Sequence, residues 1–62
     1  MPHDAAALER FAAQLSRNEY NLAKLKTDNS YMPELGREIR AELIQEIEDW
    51  NTLLKLALDP SR

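Results

Sequence analysis

The stretch LERFAAQLSRNEYNLAKL, residues 8–25, decides the fold expected for this chain. Its seam residues recur at alternating steps of three and four: Leu8, Phe11, Leu15, Asn18, Leu22 and Leu25. This heptad spacing is typical of a helix that packs against another helix in a coiled coil or a helical bundle. Asp4 is a good N-cap before a run of alanines, so we expect the first helix to span about residues 4–27.

A polar segment, DNSYM at residues 28–32, separates this helix from a second one. Asp, Asn and Ser favour turns, and Pro33 suits the first position of a helix. We therefore predict a loop over residues 28–32 and a second helix over about residues 33–58. Pro33 is expected to hold Met32 in an extended conformation, and Gly36 would be the weak point of the second helix.

Two helices of similar length joined by a short loop form an antiparallel helical hairpin. Apolar residues of the second helix cover an arc of about 180°, whereas packing on one neighbour needs only about 100°. A second hairpin would cover the excess, so the all-α fold that we predict is a helical hairpin that dimerises into a four-helix bundle. From the second helix, the expected core and dimer contacts are Ile39, Leu43, Ile47, Trp50 and Leu54.

Two of the expected seam residues, Trp50 and Asn18, differ in kind from the aliphatic residues around them. Trp50 is expected to pack in the core rather than to serve as a platform for a ligand. Asn18 stands where a large apolar residue is usual. Either it fixes the register and the oligomeric state as a buried polar residue, or it lies at a hydrated edge of the bundle, and the sequence leaves both interpretations open.

The composition limits what the chain can do. Its 62 residues include no Cys and one His, and the formal net charge is −3. A single domain of this size has no disulfide or thiolate metal site to stabilise it, so we expect it to gain stability from a partner chain. It is too small for an ordinary catalytic pocket and has no Gly-rich phosphate loop, so we expect neither an enzyme nor a cofactor.

The sequence contains no run of about 20 apolar residues that could span a bilayer, and its first residues do not resemble a secretory signal. We therefore expect a cytoplasmic protein without a membrane partner.

Arg10, Arg17 and Lys24 recur every seven residues along the first helix and form what we call the basic stripe. Successive cations would lie about 10.5 Å apart, and a dimer would present the stripe twice, so it could contact successive phosphates of a nucleic acid. A sequence pI of about 5.0 and the lack of neighbouring aromatic residues apart from Tyr20 favour the alternative, a solvated face.

Three acidic residues, Glu42, Glu46 and Asp49, border the apolar face of the second helix and form what we call the acidic ridge. Glu19 is expected to come level with the first two of them. Facing carboxylates could hold a hard cation, but the chain has no Glu-x-x-His pair of the kind used in bundles and no calcium loop. We therefore expect solvated charges here.

These observations leave three functions in order of preference. The first is a non-enzymatic homodimer that acts as a protein-binding adaptor or regulator, with Tyr31, Met32 and Leu56 as candidate contacts to another protein. The second is a nucleic-acid-binding regulator that uses the basic stripe. The third is a metal-binding bundle that uses carboxylate ligands.

Overall fold

In a computed structural model, the chain forms two α-helices that pack against each other as a hairpin. The structure describes residues 4–59. Helix α1 spans Ala5–Thr27 and helix α2 spans Arg37–Leu58, and the described residues contain no strand. The prediction of an all-α helical hairpin is thus confirmed. Neither α1 nor α2 is long and apolar enough to cross a membrane.

Helix α1 begins at the N-cap that the sequence indicates. The carboxylate of Asp4 accepts a hydrogen bond from the backbone N–H of Ala6 at 3.2 Å. This bond satisfies one of the donors that have no partner inside the first turn of a helix. Lys24 and Lys26 lie in the last turn, where cations complement the partial negative charge of the helix end.

Helix α2 begins later than the sequence predicts. Its first residue is Arg37, not Pro33, and its N-cap is Gly36 with an ordinary φ of −72°. Gly36 therefore lies outside the helix and does not weaken its interior. The loop spans residues 28–36 rather than 28–32.

The loop consists of two successive turns. Backbone N–H groups of Tyr31 and Leu35 donate to the carbonyl oxygens of Asp28 and Met32, each at 3.1 Å. Pro33 takes the second position of the later turn, where its fixed φ is favourable. Met32 has a φ of 53° and lies in the left-handed region, so the prediction of an extended Met32 is wrong.

Asp28 orders the first of these turns. Its Oδ1 accepts hydrogen bonds from the hydroxyl of Ser30 at 2.6 Å and from the backbone N–H of Ser30 at 3.0 Å. These bonds favour the ionised form and lower the pKa of Asp28 below its ordinary value of 3.8. Because the folded-state pKa is the lower one, this stabilisation is present above about pH 4 and is lost as the pH falls through the folded-state pKa.

Arg40 of α2 ties the loop to the end of α1. Its guanidinium donates to the carbonyl oxygens of Leu25, Tyr31 and Met32 at 3.2, 2.6 and 3.1 Å. The carbonyl of Leu25 belongs to the last turn of α1, where carbonyl oxygens receive no hydrogen bond from an N–H group of the same helix. The hydroxyl of Tyr31 also donates to Oδ1 of Asn21 at 3.0 Å. The loop is therefore held by both helices.

Helix α2 packs on α1 through a heptad row that we call the inner seam. Its members are buried or half-buried: Arg40, Ile44, Ile47, Asn51, Leu54 and Leu58. On α1, Asn18 and Leu25 are buried, and the other four members of the predicted seam are half-buried. The heptad spacing of α1 therefore does mark the side that faces its neighbour.

Two asparagines introduce a polar level into this small core. Asn18 and Asn51 are only 3% and 5% exposed. Their chain neighbours Arg17 and Trp50 line one groove between the helices, so the two asparagines lie in the same part of the hairpin. Gln14 donates to Oδ1 of Asn18 at 2.8 Å, but Nδ2 of Asn18 and Oδ1 of Asn51 have no hydrogen-bond partner. Asn18 is thus a buried polar residue of the seam and does not lie at a hydrated edge.

We expect the double substitution Asn18→Leu and Asn51→Leu to raise the free energy of unfolding by about 2 kcal/mol, since each unpaired buried polar atom costs roughly 1–3 kcal/mol. Each single substitution should give less than half of that gain, because one unpaired atom remains. Urea unfolding followed by circular dichroism at one fixed protein concentration measures the effect. Asn29→Leu in the exposed loop is the control, and a double variant less stable than the parent would contradict the prediction.

Replacing Arg40 by Lys should lower the free energy of unfolding by about 2 kcal/mol, because one ammonium group cannot reproduce a planar fork that reaches three carbonyl oxygens. The same urea titration measures the loss. Arg37→Lys at the exposed first residue of α2 is the matched control. Equal urea midpoints for the two variants would show that Arg40 does not hold the loop.

Candidate interaction surface

A second heptad row of α2 lies beside the inner seam and is left largely uncovered. This open seam consists of Ile39, Leu43, Glu46, Trp50, Leu53 and Ala57. Three of its apolar side chains, Ile39, Trp50 and Leu53, are 53%, 46% and 65% exposed. Consecutive residues of an α-helix point about 100° apart, so a single neighbouring helix covers one row and leaves the other facing outward.

The broad apolar arc of the second helix thus divides into two seams. Ile47 and Leu54 lie on the inner seam and contribute to the hairpin core. Ile39 and Trp50, which the sequence places in the core or in a dimer contact, do not belong to the core of the hairpin. The single hairpin leaves Trp50 46% exposed, so the expectation that it packs in the core of a dimeric bundle stays a prediction.

Trp50 instead lines a groove between the two helices. The groove has a volume of about 380 Å³, and its other lining residues are Arg10, Phe11, Ala13, Gln14, Arg17 and Leu54. Two cations of the basic stripe therefore lie beside an exposed aromatic ring. The sequence did not indicate this neighbour, because Trp50 is on the other helix and the two come together only through the hairpin register.

Arg17 is held at the edge of this groove by a chain of hydrogen bonds. Its guanidinium donates to Oε1 of Gln14 at 2.9 Å, and the amide of Gln14 donates to the buried Asn18 at 2.8 Å. The remaining guanidinium donors of Arg17 are thereby oriented and available to an anionic group.

Lys24, the third member of the basic stripe, is placed differently. Its Nζ lies 5.8 Å from the centre of the Tyr20 ring, which is exposed on the same helix. This is the distance of a cation–π contact. Lys24 does not line the groove, so the stripe is continuous along α1 but only two of its cations border Trp50.

The acidic ridge overlaps the outer side of the open seam, because Glu46 belongs to both. Glu42 and Glu46 border a second groove of about 330 Å³, together with Leu35, Ile39 and Leu43. Within residues 4–59, no group of three or more His, Asp or Glu side chains is arranged to hold a metal ion. The carboxylates of Glu19, Glu42 and Glu46 are thus not assembled into the site that the metal-binding alternative requires.

The three residues expected to contact another protein differ in their availability. Met32 and Leu56 are exposed. Tyr31 is half-buried, and its hydroxyl is already bonded to Asn21. The loop therefore presents the side chain of Met32 more openly than that of Tyr31.

Comparison with known proteins gives no match: no family model, no curated protein and no solved structure shows significant similarity to this chain.

Proposed function

We propose that this chain is a non-enzymatic, homodimeric helical-hairpin protein that acts as a protein-binding adaptor or regulator. The open seam of α2 is the observation that carries the proposal. It sets Ile39, Trp50 and Leu53 along one exposed row. Burying apolar surface is favourable by about 25 cal/mol per Å², and extended exposed apolar patches commonly mark interaction sites.

One long side of the hairpin is large enough to form an interface with a second hairpin. The molecule extends over 41 × 15 × 15 Å, so one long side is comparable with the roughly 800 Å² that each partner buries in a standard interface. Two hairpins packed along this side would form a four-helix bundle. Met32 in the loop and Leu56 on α2 lie outside the open seam and would stay free to contact another protein.

Leu53→Glu is expected to abolish self-association, because it places a charge in the middle of the apolar contact. Sedimentation equilibrium over micromolar concentrations measures the effect, and Leu56→Glu, an equally drastic change at an exposed leucine outside the seam, is the control. As the parent chain associates, the emission of Trp50, its one tryptophan, should shift to shorter wavelength. A parent chain that stays monomeric throughout would refute the homodimer.

A second candidate function is binding to single-stranded nucleic acid, and the groove at Trp50 favours it. Arg10 and Arg17 line the same groove as the exposed Trp50. Aromatic rings that stack on bases, combined with cations that contact phosphates, are the usual means of recognising single strands. Because a dimer through the open seam would cover Trp50, the two uses of the groove compete.

If the basic stripe binds nucleic acid, Arg17→Glu should weaken the binding of a mixed RNA or DNA oligonucleotide at least tenfold at low salt. Mobility shift and quenching of Trp50 emission are the two measurements. Arg37→Glu, the same charge change away from the stripe, should have a much smaller effect. Equal binding by the parent chain and Arg17→Glu would remove the stripe as a nucleic-acid site.

A further inference from the structure

We infer that the two hairpins associate about a two-fold axis parallel to their helices, so that the acidic ridge of each copy faces the basic stripe of the other. The inference rests on the self-association proposed above and specifies its geometry. It assigns a parallel arrangement to the two copies of α2.

The open seam lies between two edges of opposite charge. On one side, across the groove at Trp50, stands the basic stripe of α1, with Arg10 and Arg17 in the groove wall. On the other side, at successively larger angles from the inner seam, come Glu42 and Asp49, whereas Glu46 lies within the open seam itself. The interaction surface therefore has a positive edge, a mainly apolar centre that contains Glu46, and a negative edge formed by Glu42 and Asp49.

These charges are not paired with one another inside the hairpin. Among residues 4–59 the only ion pair joins Nζ of Lys26 to Oε2 of Glu48 at 2.7 Å. Neither residue belongs to the ridge or the stripe. The five charges of the two edges, Arg10, Arg17, Lys24, Glu42 and Asp49, are thus available to a second copy.

Symmetry decides which edges meet. A two-fold axis parallel to the helices exchanges the left and right edges, so positive meets negative on both sides of the apolar centre. A two-fold axis that runs across the helices places each edge against the same edge of the other copy. The two basic stripes then face each other, and so do the two acidic ridges. Like charges brought together at an interface cost free energy, and opposite charges determine the orientation of the partners.

The positions of the charged residues along the helix axes also agree with the parallel arrangement. Arg17 lies level with the region of Trp50 and Asn51, and the two helices run in opposite directions. Lys24 is about 10.5 Å from Arg17 toward the loop, whereas Asp49 and Glu42 are about 1.5 and 12 Å from Trp50 in the same direction. A two-fold axis parallel to the helices leaves these levels unchanged. Asp49 of one copy therefore comes close to the level of Arg17 of the other, and Glu42 comes close to the level of Lys24.

Charge reversal tests the arrangement. Asp49→Arg and Arg17→Glu should each raise the dissociation constant of the dimer about tenfold, and the double variant should return it to within about threefold of the parent. Sedimentation equilibrium at moderate salt measures the constants, with Glu34→Arg in the exposed loop as the control. Circular dichroism verifies that each variant is helical.

The outcomes separate this inference from the function it rests on. A dimer that is unchanged or tighter after Asp49→Arg overturns the parallel axis and leaves the homodimer intact. A parent chain that never associates overturns both.

An engineered cysteine gives a readout that does not depend on charge. The chain has no cysteine, so Leu43→Cys introduces one thiol in the open seam. A parallel axis places position 43 opposite itself, so this variant alone should form a disulfide-linked dimer in a glutathione buffer, whereas Leu56→Cys should not. Cross-linking of Leu43→Cys only when it is mixed with Leu53→Cys would instead show an antiparallel pair and overturn the inference.

Discussion

One geometric constraint governs this molecule: a single helix can cover only one of the two heptad rows that α2 carries. The inner seam and the open seam are offset by one residue, and their side chains point about 100° apart. Helix α1 covers the inner seam, which buries Asn51 and Leu54. Ile39, Trp50 and Leu53 are left exposed for that reason, and the groove at Trp50 exists because the uncovered row lies next to the cations of α1.

Polar groups have an unusual share in holding so small a hairpin together. Arg40 occupies a heptad position of the inner seam and donates to three carbonyl oxygens at the end of α1 and in the loop. Asn18 and Asn51 occupy the middle of the core, each with one unpaired atom. Arg40 replaces apolar area by a directed bond from α2 to the end of α1, whereas the bond between Gln14 and Asn18 lies within α1.

The regular parts of the fold could be predicted because they depend on local patterns. Heptad spacing located both helices, and Asp4 was recognisable as an N-cap. The start of α2 was not predictable, because Pro33 is equally suited to a turn and to a first helical position. Arg40 favours the turn by binding the carbonyls of Tyr31 and Met32. These contacts join residues eight or nine positions apart, so the residues around Pro33 do not predict them.

The sequence by itself determined two amphipathic helices, a polar turn between them, a stripe of cations on the first and a ridge of carboxylates on the second. These follow from periodicity, which each helix carries alone. Only the tertiary structure decided which row of α2 is covered and which side chains border the uncovered one. The pairing of Trp50 with Arg10 and Arg17 depends on the rotation and level of one helix against the other. Packing against α1 sets both the rotation and the level, and neither can be derived from the residue pattern of one helix alone.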